Sequence, residues 1–202
     1  MKASFVILGT GGFASELFHM MVDVGVNVTG CLGPTPCTFA NWLGNDSQIP
    51  NLVANNQFLI AVGDVSLRAQ LAKKLMQSNA TLGTFRHPNS YINSTAKLCD
   101  GTILYPNTSL HSGVFLGPNS FVNSGATIGH DTAIGAKSIV GPNVAIGGRC
   151  NIQSEVYFGL NSSVIEDITI ASKVIVGAGA VVVQNITEPK ITVVGIPARK
   201  LD

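Results

Sequence analysis

The sequence carries little charge for a chain of 202 residues. Lysine and arginine together number 12 and aspartate and glutamate 11, so charged residues make up only 11% of the chain and the formal net charge is +1. Soluble domains usually hold about twice this fraction. The basic residues form no runs, which disfavours binding to nucleic acid or to an anionic membrane. This low charge predicts that other copies of the chain cover much of the protein surface.

Cysteine is also scarce, and its spacing excludes several kinds of site. The four cysteines form no CxxC pair, which argues against a zinc site or a disulfide framework and predicts reduced thiols in a cytoplasmic protein. No apolar run is as long as a membrane span. Glycines 9, 11 and 12 interrupt the apolar start too early for a signal peptide. The sequence therefore predicts neither a metal site nor a membrane partner.

What the sequence does contain is an apolar repeat with a period of six residues. A period of six fits neither an α-helix, with 3.6 residues per turn, nor a flat strand, with a period of two. It fits a parallel β-helix, in which each unit is a short strand followed by a corner. The large apolar anchors are Ile92, Leu98, Leu104, Leu110, Leu116, Val122, Ile128, Ile134, Val140, Ile146, Ile152, Phe158, Val164, Ile170, Val176 and Val182.

Two further positions in each unit support this interpretation. A small or β-branched residue stands four positions after most anchors, as Thr132 does after Ile128, and a glycine often follows the anchor directly. We expect the anchors to fill the interior, and Gly, Asn and Asp to form corners that need unusual backbone angles. An ordinary sandwich with chance periodicity would require insertions within the repeat, and the repeat has none.

The chain before the repeat alternates strands and helices. Strands are predicted at residues 3–8 and 58–62, and residues 25–31 are predicted to form a turn and a further strand between them. A glycine-rich turn joins the first strand to a helix, which is the beginning of a Rossmann-like unit. The sequence therefore predicts a small Rossmann-like domain at residues 1–87, followed by a parallel β-helix with a C-terminal cap at residues 88–202.

A second helix is predicted at residues 65–78, after the third strand. Its sequence is amphipathic, with leucines and basic residues at helical spacing. We expect Leu67, Leu71 and Leu75 on the buried side and Arg68 on the exposed side.

The glycine-rich turn at residues 9–14 leaves backbone amides free to bind an anion at the start of the first helix. A dinucleotide fingerprint would need a third glycine at Ala14 and an acidic residue after the second strand. Neither is present, so we reject NAD binding. Two interpretations stay open: a phosphorylated or nucleotide-linked ligand, or glycines that only let the helix pack on the strand.

The units Ile128-Gly-His-Asp-Thr-Ala, Ile134-Gly-Ala-Lys-Ser-Ile and Val140-Gly-Pro-Asn-Val-Ala resemble the hexapeptide repeat of bacterial acyltransferases. The resemblance implies three hexads per coil and a left-handed winding, although ordinary parallel crossovers are right-handed. A GxGGFA turn, an AVGD strand end and a closing Gly-Ile-Pro-Ala-Arg extend it over nearly the whole chain. The chain thus resembles sugar acetyltransferases, and more narrowly the sialic acid O-acetyltransferase and UDP-4-amino-sugar N-acetyltransferase group.

This resemblance implies a cytoplasmic enzyme that transfers an acetyl group from acetyl-CoA to an amine or hydroxyl of a nucleotide-linked sugar. The histidine base would allow direct attack on the thioester without a metal. The resemblance also implies a homotrimer, with the pantetheine arm of the donor in a groove between two subunits, and a role in the synthesis of cell-surface polysaccharide or another glycan.

Acyl transfer needs a base for the acceptor's proton and a hydrogen-bond donor for the oxyanion. His130 stands on a predicted corner beside Asp131, and in the resembled family such a pair is the catalytic base and its partner. A carboxylate beside an imidazole fixes its tautomer and makes it a better base. Gly148 follows one coil later, and the resemblance implies that its backbone N–H binds the oxyanion.

The resemblance also assigns binding positions. Those for acetyl-CoA are Ile139, Gly141, Gly159, Leu160 and Ala178, with Ile196 and Pro197 near the tail. Those for the acceptor are Gly11, Gly12, Phe13, Gly63 and Asn123. The alternative for Asn123 and Gly148 is that both are simply good corner residues. Many nucleotide-sugar relatives carry a histidine at the position of Phe13 and two aspartates after the second strand, where this chain has Leu32-Gly33-Pro34, so a uridine-type contact is not supported.

The remaining histidines leave other functions to weigh. His19 and His87 are expected to be structural or surface residues, whereas His111 remains an alternative base. A hexapeptide carbonic anhydrase would hold zinc with three histidines, and neither His111 nor His130 has a histidine partner at close spacing. A non-catalytic trimeric scaffold or binding paralogue stays open, as does an acetyltransferase for a non-sugar acceptor.

Overall fold

The computed structural model describes residues 4–201, so Ala3, assigned above to the first strand, lies outside the described residues. The chain divides into two compact units, Met1–His87 and Pro88–Asp202. No helix within the described residues is long and apolar enough to cross a membrane.

The first unit is built on a parallel four-stranded sheet with the order β2-β1-β3-β4. Its strands are β1 (Ser4–Leu8), β2 (Val28–Leu32), β3 (Asn56–Ile60) and β4 (Thr81–Leu82), with a short β5 (Phe85–Arg86) after them. Its helices are α1 (Gly12–Asp23), α2 (Ile49–Leu52) and α3 (Val65–Gln77), and a 3₁₀ turn spans Asp46–Gln48. Because β1 pairs in parallel with both β2 and β3, the carboxyl ends of these strands meet at one edge of the sheet.

Helix α3 buries a face that differs from the predicted one at two residues. Leu71 and Leu75 are buried as expected, but Leu67 is 43% exposed and Arg68 is completely buried, so the assignment of these two residues is wrong. The physical reason is a hydrogen bond that the helical pattern does not reveal: the Arg68 guanidinium donates to the carbonyl of Ile60 at the end of β3. Burial lowers the pKa of Arg68 to about 9.

The second unit is a parallel β-solenoid of two-residue strands. Each strand from Tyr91–Ile92 to Ser163–Val164 pairs in parallel with the strand eighteen residues further on, as Ile134 pairs with Ile152 and Ile152 with Ile170. The strands are β6 (Tyr91–Ile92), β7 (Lys97–Leu98), β8 (Ile103–Leu104), β9 (Ser109–Leu110), β10 (Phe115–Leu116), β11 (Phe121–Val122), β12 (Thr127–Ile128), β13 (Ala133–Ile134), β14 (Ile139–Val140), β15 (Ala145–Ile146), β16 (Asn151–Ile152), β17 (Tyr157–Phe158), β18 (Ser163–Val164), β19 (Thr169–Ile170), β20 (Ile175–Val176) and β21 (Val181–Val182).

These strands form three faces. Face 1 holds β6, β9, β12, β15, β18 and β21, face 2 holds β7, β10, β13, β16 and β19, and face 3 holds β8, β11, β14, β17 and β20. Face 3 continues into β22 (Thr192–Val194), which pairs antiparallel with β23 (Arg199–Lys200) and ends the solenoid. Six strands on face 1 correspond to about six turns, which is consistent with a left-handed β-helix. The predicted coil of three hexads is confirmed.

The interior is filled as the repeat predicts. Every anchor from Leu104 to Val182 is buried, and so is every residue four positions after an anchor from Thr102 to Ser162. The backbone is unusual at the corners. From Gly101 to Gly179, the third residue after each anchor has a positive φ.

Three edges run along the solenoid where the faces meet. Edge A, between faces 1 and 2, includes the corners 111–114, 129–132, 147–150 and 165–168. Edge B, between faces 3 and 1, consists of 123–126, 141–144, 159–162 and 177–180. Edge C, between faces 2 and 3, consists of 135–138, 153–156 and 171–174. Each edge therefore presents the same corner position once per coil.

Two glycines on edge B provide a matched test of these corners. Gly125 and Gly179 have nearly the same backbone, with φ of +72° and +67°. A Cβ at Gly125 would lie 2.3 Å from Asn143 Oδ1, whereas a Cβ at Gly179 would meet nothing within 4 Å. We expect Gly179→Ala to cost about 1 kcal/mol through the left-handed backbone, and Gly125→Ala to cost about twice that. Denaturant unfolding of both variants measures the difference, and equal losses would show that Asn143 moves aside freely.

Candidate active site

His130 occupies the outer corner of edge A between β12 and β13. Its imidazole Nδ1 lies 2.9 Å from Asp131 Oδ2, with side-chain exposures of 47% for His130 and 63% for Asp131. A carboxylate can only accept a hydrogen bond, so Nδ1 carries the proton and Nε2 of the neutral ring keeps its lone pair. Asp131 has φ of +58°, a conformation that aspartate tolerates better than most residues. The corner therefore presents an exposed, oriented imidazole.

The imidazole packs against Gly148, one coil later on the same edge. A Cβ added to Gly148 would lie 2.6 Å from His130 Nε2 and 2.9 Å from Cδ2 and Cε1 of the ring. Only glycine leaves room for the ring in this position. The Gly148 amide makes no hydrogen bond to another described residue, so its N–H is available to a ligand.

Hydrogen bonds between coils hold these corners in register. The backbone N–H of Arg149 donates to the carbonyl of His130 at 2.7 Å, and that of Asp167 donates to the carbonyl of Gly148 at 3.0 Å. Inside the solenoid, the buried hydroxyl of Thr132 donates to the Gly147 carbonyl at 2.8 Å. Edge A is thus a stiff scaffold, which favours precise placement of a reacting group.

The Arg149 side chain completes the surroundings of the imidazole, and the sequence analysis did not identify it. Its Nη1 lies 3.4 Å from His130 Nε2. Its Nε and Nη2 both donate to Asp167, each at 2.7 Å. The hydrogen bond from Arg149 lowers the pKa of Asp167, and the same bond raises the pKa of Arg149. The eighteen-residue spacing of residues 131, 149 and 167 was the signal that could have revealed this line of alternating charges.

The residues expected to bind acetyl-CoA lie on a different edge. Gly141, Gly159, Leu160 and Ala178 are all corner residues of edge B, and Asn123 lies on the same edge in an earlier coil. Ile139 is buried in β14, and Ile196 is 77% exposed in the tail beside Pro197. Within one chain, the structure gathers most of these residues along edge B but does not bring them to His130 on edge A.

Four of the five residues expected to bind the acceptor lie together in the first unit, whereas Asn123 lies on edge B of the solenoid. Gly11 is the N-cap of α1, followed by Gly12 and Phe13, and Gly63 follows β3 just before α3. Because β1 and β3 are parallel neighbours, these residues lie at the same sheet edge. A Cβ at Gly11, Gly12 or Gly63 would meet nothing within 4 Å, so the backbone there is open.

A cavity of about 440 Å³ opens at the carboxyl ends of β1, β2 and β3. No sequence motif predicted this cavity, although ligands often bind at this edge of a parallel sheet. Its walls are largely apolar. The lining residues are Leu8, Gly9, Leu32, Gly33, Pro34, Asn45, Asp46, Val62, Leu67 and Leu71.

Among the described residues, no three His, Cys, Asp or Glu side chains are grouped so that they could hold a metal ion. His111 is exposed on edge A one coil before His130, and all four cysteines are free thiols.

Neither a family model nor a curated protein matches the chain. Solved structures do match. The GDP-perosamine N-acetyltransferase PerB from Caulobacter crescentus, solved in complex with CoA and GDP-perosamine, is 26% identical, with a TM-score of 0.93 over 99% of this chain and 98% of that one. The chain closely resembles a sugar N-acetyltransferase. The predicted resemblance to hexapeptide-repeat sugar acetyltransferases is confirmed, and with it the predicted enzyme class.

Two further structures share the fold of this sugar acetyltransferase type. The acetyltransferase domain of PglB from Neisseria gonorrhoeae FA1090, in complex with acetyl coenzyme A, is 23% identical, with a TM-score of 0.93 over 100% of both chains. WeeI from Acinetobacter baumannii AYE is 22% identical, with a TM-score of 0.88 over 99% of this chain and 100% of that one.

The contact between Gly148 and the imidazole generates a prediction. Gly148 has no left-handed φ, so Gly148→Ala should fold normally and keep the backbone N–H, but its Cβ must displace the ring. We expect turnover to fall about 10- to 100-fold, since a misplacement of about 1 Å can have that effect. Steady-state kinetics and the melting temperature are the measurements. In a His130→Ala background the same substitution should cause no further loss, and an additional loss there would place the effect elsewhere.

Proposed function

We propose that the protein transfers an acetyl group from acetyl-CoA to the amino group of a nucleotide-linked sugar, with His130 as the general base. The observation that carries this proposal is the imidazole held between Asp131 and Gly148 on edge A. The match to PerB, which is bound to CoA and GDP-perosamine, supports both the donor and the class of acceptor.

The chemistry follows from the placement of the ring. The amine nitrogen of the acceptor attacks the thioester carbon of acetyl-CoA, and His130 Nε2 accepts a proton from that nitrogen. The negative charge moves to the carbonyl oxygen, and the N–H of Gly148 donates a hydrogen bond to it. Collapse of this intermediate breaks the carbon–sulfur bond. The imidazolium then returns its proton to the departing thiolate, which leaves as CoA.

Asp131 supports the base throughout this cycle. Its carboxylate accepts a hydrogen bond from Nδ1–H, with 2.9 Å between Nδ1 and Oδ2, and stabilises the imidazolium that forms during transfer. Because both side chains are well exposed in the single chain, this stabilisation is screened by water until substrates or a second subunit cover the corner.

The donor site needs more than one copy of the chain. The expected pantetheine positions lie along edge B, whereas His130 lies on edge A. In a homotrimer, edge B of one subunit can face edge A of its neighbour, and the acyl group then reaches the base. The apolar side chains that remain exposed on the solenoid, including Phe115, Leu160 and Ile175, favour such an assembly.

The first unit would bind the nucleotide part of the acceptor as a Rossmann-like domain. The open N-terminus of α1 suits a phosphate group, and the cavity at the carboxyl ends of the parallel strands suits a nucleobase. The residues assigned to this role are Gly11, Gly12, Phe13 and Gly63.

The base is tested by His130→Ala. We expect turnover to fall about 10²- to 10⁴-fold, while acetyl-CoA affinity and melting temperature hardly change, because the ring is exposed and contributes little packing. Asp131→Asn should give a smaller loss. Kinetics, calorimetry and thermal unfolding on the same preparation separate this from a structural role, which would lower stability and leave turnover intact. Full activity of His130→Ala would instead point to His111.

The function itself is tested by acetyl-CoA turnover with a panel of nucleotide-linked amino sugars, free amino sugars and sialic acid. Release of CoA with a nucleotide-linked amino sugar, and light scattering that gives a trimer mass, are the expected results. Turnover only with a non-sugar amine would contradict the acceptor. No turnover together with no acetyl-CoA binding would favour a non-catalytic scaffold.

A further inference from the structure

A continuous line of charged side chains passes through the candidate base. Asp131 contacts Nδ1 of His130, Arg149 contacts Nε2, and Asp167 holds Arg149 through two hydrogen bonds of 2.7 Å. Residues 131, 149 and 167 are the left-handed corner residues of three successive coils, with φ of 58°, 56° and 61°. The coil register therefore fixes their order along edge A.

Edge C carries a similar line without a histidine. Glu155 lies between Lys137 and Lys173, which contact its two carboxylate oxygens at 3.6 and 3.5 Å. These three residues also occupy left-handed corner positions one coil apart. Alternating charge therefore occurs at the left-handed corners of two of the three edges. Edge A differs in two ways: Arg149 binds Asp167 through two hydrogen bonds of 2.7 Å, and Arg149 also contacts an imidazole nitrogen.

The contact falls on the nitrogen that the proposed chemistry uses. With the ring proton on Nδ1, Nε2 has one lone pair, and an N–H of Arg149 Nη1 is directed at it. An acceptor amine must hydrogen-bond to the same lone pair before it can transfer a proton. The guanidinium and the acceptor therefore compete for one position.

We propose that Arg149, clamped by Asp167, is a positioning residue for His130: it holds the imidazole over Gly148 with Nε2 directed outward, and releases Nε2 when the acceptor arrives. This proposal rests on the proposed role of His130 as base. The planar guanidinium suits the task because its forked N–H groups can bind Asp167 at two points and still direct a third at the ring. Asp167 keeps the guanidinium in place after Nε2 has been released.

The test uses the full-length protein with Arg149→Met and Asp167→Asn, and Glu155→Gln as the matched control on edge C. For Arg149→Met we expect kcat to fall about 10-fold, because the imidazole is less ordered. The KM for the acceptor should be unchanged or lower, because Arg149 no longer occupies the Nε2 lone pair. Asp167→Asn should cause a few-fold fall in kcat, since Arg149 remains but is held less firmly. Glu155→Gln should have wild-type kinetics.

Nitrogen-15 NMR of the His130 ring gives a readout that does not depend on turnover. The wild-type ring should show one ordered tautomer with the proton on Nδ1. Arg149→Met should broaden or average its two nitrogen signals, whereas Glu155→Gln should leave them unchanged. A protein that lacks acetyl transfer altogether would contradict the proposed function, yet the ring signals would still decide whether Arg149 positions His130.

Other results would overturn the proposal. A raised acceptor KM with unchanged kcat in Arg149→Met would make Arg149 a direct ligand of the acceptor. Unchanged kcat, KM and ring signals would make it a surface ion pair only. A loss of melting temperature equal to that of Glu155→Gln, with no kinetic change, would lead to the same conclusion.

Discussion

The parallel pairing of each residue with the one eighteen positions later is the constraint on which the rest of this structure depends. It stacks the apolar anchors into one core and brings corner residues of successive coils into contact. A shift by one hexad would leave an apolar residue inside but would separate His130 from Gly148. The register therefore matters more to the candidate site than to the core.

This register converts a one-dimensional repeat into a three-dimensional site. Residues 130 and 148 are distant in sequence but touch in space, because one coil separates them. The backbone hydrogen bond from Arg149 to the His130 carbonyl ties the two corners together. A candidate base, an open amide and a guanidinium held by Asp167 thus lie on a backbone fixed by hydrogen bonds between coils, an arrangement that would suit general-base catalysis.

The groups that the proposed chemistry needs lie on two different edges of the solenoid. The candidate base lies on edge A and the expected pantetheine positions lie on edge B of the same solenoid. The low charge of the chain and its exposed apolar side chains are consistent with burial of solenoid surface between copies. Oligomerisation would then be a part of catalysis, because it would bring donor and base together and exclude water from the corner.

The sequence by itself determined the solenoid, because its unbroken period of six fits a parallel β-helix and fits neither an α-helix nor a flat strand. It also indicated His130, Asp131 and Gly148 as candidates, because the resemblance to hexapeptide acyltransferases implied a coil of eighteen residues and a histidine base on this corner. It could not indicate the clamp formed by Arg149 and Asp167, because a charged corner residue looks like any solvated side chain until its neighbours in adjacent coils are known. It assigned Arg68 to the wrong face of α3 for a related reason. A carbonyl at the end of β3 accepts the buried guanidinium, and only the packing of helix on sheet brings the two together.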